Sequence, residues 1–252
     1  MGCRILAGMV YVRDLSVANQ PLLPIGNAQA SLAISEETQE LPDYTNPAGG
    51  NACSVRDISG VALTLTMYDF KQQNIALAVF GNVTNGAGAA VVNEVVEGYA
   101  GGAINPLAHV PNDAVPVVVS IGATNYVEDT DFVIKGGGYI VIAGSALETA
   151  ILAGAGTPKH ATTQVDYTWA ADITVEALVT SGKTFEMLID GTNKANNNSH
   201  EVWRLFKVQF GPTGGLNIIT REFGSMEVAA EVIADTTKAP GLSQYFTVKT
   251  PA

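Results

Sequence analysis

Over residues 61–68 the side chains alternate strictly, Val61, Leu63, Leu65 and Met67 against Ala62, Thr64, Thr66 and Tyr68. A period of two places the two sets on opposite faces of an extended chain, so this segment is predicted to be a strand with one face on a core. The same pattern recurs. Ile25, Leu32 and Ile34 stand among small and polar residues, Phe185, Met187 and Ile189 alternate with Thr184, Glu186 and Asp190, and Met226, Val228, Ala230 and Val232 alternate with Glu227, Ala229, Glu231 and Ile233. Trp203, Phe206 and Phe210 lie in a more mixed run. Such alternation belongs to antiparallel sheets with one face on a core. Between positions 69 and 80 the period changes. Ile75, Ala76, Val79 and Phe80 form one stripe, Asp69 is placed to cap with Gln72 three residues on, and Gly81-Asn82 ends the run. The expectation is one short helix, about residues 70–80, lying against a sheet.

Two stretches break the pattern. Residues 35–57 carry Glu36, Glu37, Glu40, Pro42, Asp43, Tyr44, Asn46, Pro47, Gly49, Gly50 and Asn51. About 20 residues is long for a connection in a compact domain, which predicts a functional loop or one disordered in the free chain. Residues 95–170 read as a separate small β module inserted between flanking segments 1–94 and 171–252. Within it, Phe132, Val133 and Ile134 and then Tyr139, Ile140 and Val141 flank Gly136-Gly137-Gly138, the signature of a hairpin with a glycine turn. The module carries a net charge of −5.

Composition narrows the function classes. Charged residues are 15% of the 252 and hydrophobic ones 47%, which excludes a disordered chain. The net charge of −11 argues against a general nucleic-acid binder. Cys3 and Cys53 are too few for a disulfide framework, and no secretory leader or membrane span is legible, so the expected site of synthesis is a cytoplasm. Chemistry is sparse: no phosphate-binding GxxxxGK[ST] loop, no dinucleotide turn and no GxSxG elbow occur. His109, His160 and His200 are far apart and read as solvated loop residues. Glu128, Asp129 and Asp131 could offer oxygens to a hard cation, but without the spacing of an EF-hand loop they read as a solvated hairpin end. No catalytic residue, cofactor or metal is expected, and the chain does not read as an enzyme.

Four stretches resemble the major tail tube protein of long-tailed, siphovirus-type bacteriophages. They are residues 23–27 (LPIGN) leading to the acidic segment, residues 65–70 (LTMYDF) with the helix at 74–81, residues 190–193 (DGTN) followed by 205–212 (LFKVQFGP), and residues 223–228 (FGSMEV) running on to 235 and closed by 243–246 (SQYF). The resemblance implies an antiparallel β-sandwich with one flanking helix, assembled as hexameric rings that stack into a tube. It implies that the chain's partners are copies of itself and other tail proteins (tape measure, terminator, distal tail), and that its place is the virion. The segment at 35–57 would pack on the neighbouring ring through Glu36, Glu37, Glu40, Asp43, Tyr44, Asn46, Gly49, Gly50 and Asn51. Phage DNA would pass along an acidic lumen without specific binding, and the 95–170 module would face outward. The acidic balance and the long polar segment agree with this picture. Two other classes stay open: the inner tube of a contractile injection or secretion machine, and a surface adhesin or carbohydrate-binding β protein.

Overall fold

The computed structural model describes residues 4–45, 49–216 and 218–251; Cys3 and Asn46 lie outside them. In chain order the elements are β1 (Leu6–Asp14), β2 (Leu23–Gly26), β3 (Ala28–Pro42), β4 (Asn51–Met67), α1 (Gln72–Ala78), β5 (Asn82–Gly86), β6 (Ala89–Tyr99), β7 (Ile104–Pro106), β8 (Val118–Ile121), β9 (Thr124–Tyr126), β10 (Phe132–Lys135), β11 (Gly138–Val141), α2 (Ala146–Leu152), β12 (His160–Trp169), β13 (Asp172–Glu176), β14 (Thr184–Asn193), β15 (Ser199–Phe210), β16 (Met226–Val232) and β17 (Phe246–Lys249). The protein is mainly β with antiparallel sheets, as the alternation predicts. It divides into two compact units, Met1–Val83 with Val175–Ala252, and Thr84–Thr174.

The first unit is one large sheet in the order β2-β1-β14-β15-β16-β4-β3, with β17 also on β15. Its two edge strands, β2 and β3, are separated in sequence by Asn27 alone. Two Cα steps span only about 7 Å, so the sheet must roll until the Gly26 end of β2 lies near the Ala28 end of β3, although β3 pairs with β4 alone. Gly26 makes the turn at φ +97°, and a Cβ there would lie 2.0 Å from Asp69 Oδ2, so only glycine fits. Val10, Ile25, Leu63, Leu65, Met67, Met187, Leu205, Val208, Met226 and Val228 fill the rolled interior. Leu65 is fully buried, with Ala30 and Val228 opposite it on either side. Leu65→Ala should therefore cost about 2–5 kcal/mol of unfolding free energy by urea denaturation. A loss below about 1 kcal/mol would mean that this interior is loosely packed.

Helix α1 sits within the predicted range, but the expected cap does not form. Lys71 is the N-cap and supplies no side-chain bond. Asn74 anchors the turn instead, donating from Nδ2 to the carbonyls of Ile25 and Asp69, both at 2.8 Å. Asp69 thus acts through its backbone, not as the capping acid. Ile75 and Leu77 pack on the core cluster.

The second unit has a four-stranded sheet, β6-β12-β8-β9, and a three-stranded one, β10-β11-β7. The glycine hairpin is present, with Lys135 opposite Gly138 across Gly136-Gly137. A second helix, α2, was not expected. Its N-cap Ser145 accepts from Glu148 N at 3.1 Å, and Glu148 Oε2 accepts from Gly144 N at 2.6 Å. Leu147 and Ile151 are buried in this unit's core with Val119, Phe132, Tyr139 and Val165.

Candidate functional site

The polar stretch at 35–57 is not a loop. Strands β3 and β4 continue through it as a paired hairpin: Glu36 lies opposite Ile58, Glu37 opposite Asp57, Thr38 opposite Arg56, Gln39 opposite Val55, Glu40 opposite Ser54 and Leu41 opposite Cys53. The register shifts between Ser35 and Glu36, leaving Ser59 unopposed. That bulge falls where burial ends, and a bulge bends and twists a ribbon. Beyond it every described residue of both strands is exposed. The result is a two-stranded arm, about 20 Å long at the usual rise per residue, projecting from the sheet. Period-two alternation fails as a signal here because neither face is buried, so neither face needs to be apolar.

The arm brings the expected contact residues together. Glu36, Glu37 and Glu40 lie on β3, and Asn51 opens β4 opposite Pro42. At the tip, Asp43 Oδ1 accepts from the amide and hydroxyl of Thr45 at 2.8 and 2.6 Å, and Asp43 N donates to Gly50 O at 2.8 Å. Gly49 and Gly50 take φ of +74° and +124° in open space, and Tyr44 is 87% exposed. Asn46 is outside the described residues. Sequence reasoning missed the other half of the surface: Leu41, Val55 and Ile58 on this ribbon, and Ile34 just before the bulge, are each more than half exposed. The available signal was the presence of Leu41, Val55 and Ile58 in a segment that is otherwise polar.

A second surface lies on the outside of the rolled sheet. Side chains that point away from the core on β3, β4 and β16 align in three cross-strand rows: Gln29–Thr66–Glu227, Ser31–Thr64–Ala229 and Ala33–Ala62–Glu231. Eight of these nine are exposed and Thr66 is half-buried. The face holds small, hydroxyl and amide groups with two carboxylates, and it contains no lysine, arginine, aromatic or large aliphatic side chain.

A third surface is basic. Arg13, Leu15, Glu186, Arg204, Phe206, Lys207, Asp235 and Lys238 line a pocket of about 310 Å³. Glu186 is buried between Arg13 and Arg204, which both pair with it. Lys207 and Lys238 reach Asp235 at 3.1 and 3.7 Å. The Thr237 hydroxyl, donating to Asp235 at 2.8 Å, together with Lys207 holds the Asp235 carboxyl down at about 2. The free carboxyl titrates near 4, so the unfolded chain takes up the proton first as the pH falls. The clamp contributes fully above about pH 4 and is lost toward pH 2. The melting-temperature gap between the wild type and Asp235→Asn should therefore narrow from pH 5 to pH 2.5. A pH-independent gap would show that the clamp does not stabilise the fold. Asp14 adds to the same trend: burial alone would raise it, but hydrogen bonds from Ser16 and the charge of Lys183 leave it lowered.

The remaining candidates stay apart. His109 stacks on Trp169 at 4.1 Å and His160 faces Glu97 at 3.6 Å, both in the second unit, whereas His200 lies on β15 of the first. His160 and His200 are strand residues, which corrects their reading as loop residues. Asp131 is buried and spends its oxygens on the amides of Val127 and Ala146, while Glu128 accepts from Val117 N, so this acidic turn is a backbone clamp. Among the described residues, no group of three or more His, Cys, Asp or Glu is placed to hold a metal. Tyr167, desolvated and donating to Glu94 at 2.5 Å, is pushed up to about 12 and stays a phenol at any physiological pH. A pocket of about 260 Å³ in the first unit is lined mainly by apolar groups, including Val12, Leu23, Ile25, Leu77 and Phe185. Among the described residues no helix is long and apolar enough to cross a membrane.

Residues 4–249 match a sequence family described as "Protein of unknown function UCP028589". No curated protein matches the chain.

Proposed function

The chain belongs to that family across nearly its whole length, and within it we propose that this protein is a structural subunit that assembles with copies of itself into a tube, as a phage tail tube protein does. The observation that carries the reading is the outer face of β3, β4 and β16. An exposed sheet face free of cations and bulky apolar groups neither binds phosphate nor docks a partner tightly, which suits the wall of a channel that DNA must slide along. The rest of the molecule supplies what assembly needs. Strand β3 is 15 residues long and ends the sheet path, so its outer edge offers unpaired backbone groups for a neighbour's strand. The arm carries apolar side chains on a two-stranded ribbon, a form only marginally stable without further contacts. In this reading, ring neighbours (six copies to a ring in the phage tubes that the sequence resembles) extend the sheet, the arm bridges to the next ring, other tail proteins cap the ends, and the tube forms part of a virion. Electron microscopy of the concentrated protein tests it: hollow tubes or rings are the expected result, and a protein that remains monomeric at millimolar concentration would refute it.

A further inference from the structure

We propose that the acidic arm of one copy seats on the basic pocket of a second copy, with Glu37 and Asp57 facing Arg13, Arg204, Lys207 and Lys238. This rests on the self-assembly reading and says where the arm goes.

The arm first shows what it lacks. Glu37 and Asp57 are directly opposite each other, both exposed. Like charges at opposed positions destabilise a strand pair. The arm's one cation, Arg56, stands opposite Thr38, and neighbouring positions on a strand point to opposite faces, so Arg56 cannot neutralise them. A cation from outside the arm can.

The pocket holds the complement. Its four basic side chains face two carboxylates, Glu186 and Asp235, a surplus of two positive charges against the two negative ones, Glu37 and Asp57, on one face of the arm. On a chain with 13 basic residues and a net charge of −11, four cations around one depression form a marked concentration. Apolar groups match too. Leu41 and Val55 share the face of Glu37 and Asp57, at 57% and 52% exposure, while the pocket presents Leu15 and Phe206, the latter with Lys238 4.2 Å above its ring. The arm's own copy does not fill this role, because its described residues from Glu36 to the tip and back to Ile58 are exposed apart from the half-buried Asp43. In the tube reading the contact is heterologous, the arm of each copy on the pocket of the next, and it repeats along the assembly instead of closing as a reciprocal pair.

Mixing nitrogen-14 and nitrogen-15 copies, assembling them, and joining touching carboxylates and amines with a zero-length carbodiimide tests the contact. Mass spectrometry should find mixed-isotope links from Glu37 or Asp57 to Lys207 or Lys238. The double variant Glu37→Lys, Asp57→Lys changes only exposed sites and should raise the concentration needed for assembly about tenfold, with those links lost. Assemblies linked through other surfaces, or a double variant that assembles like the wild type, overturn this inference and leave self-assembly standing. Monomers at every concentration overturn the assembly reading itself, and this inference with it.

Discussion

Replacing residues 37–57 with a two-residue Asn-Gly turn should give a protein that folds as well as the wild type and no longer assembles. Glu36 and Ile58 are direct partners, so the cut leaves two strand ends in register for a tight type I′ turn. The described side chains of this segment are exposed apart from Asp43 at the tip and contribute nothing to the core cluster. Thermal unfolding should therefore shift by only a few degrees, on the order expected for about 1 kcal/mol. Assembly loses an anchor of the kind that commonly carries about 2–4 kcal/mol, so the association constant should fall by about 30- to 1,000-fold in sedimentation experiments. Undiminished assembly would remove the arm from the interface. An unfolded product would show that the arm is part of the folding unit.

Reversing the carboxylates of the outer sheet face should turn a DNA-indifferent surface into a DNA-binding one. Glu227 and Glu231 stand on one strand and one face, about 13 Å apart, among side chains too short to mask them. Glu227→Lys with Glu231→Lys buries nothing new, so the fold is retained. Assembled wild-type protein should not retain double-stranded DNA at 50 mM salt, whereas the variant should. Each new lysine that meets a phosphate adds about 0.9 to the slope of log affinity against log salt, so the retention should vanish steeply as salt rises. Equal, negligible retention by both forms would mean that DNA does not reach this face.

What could be read from the sequence followed burial. The strands β4 from Val61 onward and β16, which line the core, repeat their apolar residues every second position because one face must be dry. The arm has no dry face, and residues 36–57 therefore read as a polar loop although they are two strands in register. Only the tip, with Pro42, Gly49 and Gly50, is the break that composition suggested. Helix α1 was legible from its stripe, yet its cap was not, because Asn74 takes its acceptors from Ile25, which is distant in sequence, as well as from Asp69. Helix α2 was legible and overlooked. Ser145 and Glu148 form the capping pair, but the seven-residue segment was hidden behind the hairpin's glycines. The polar faces of β4 and β16 were legible strand by strand, but their alignment into one outer face, and the basic pocket, were not. Both depend on cross-strand register, which a single sequence does not encode locally.

The central claim is that this chain builds a channel wall from β3, β4 and β16. A cryo-electron microscopy reconstruction of the assembled protein tests it most directly. The expected map is a hollow tube of stacked rings with Glu227 and Glu231 on the lumen and each arm crossing to the adjacent ring. An assembly without a lumen, or one with that face turned outward or buried against another subunit, would contradict it.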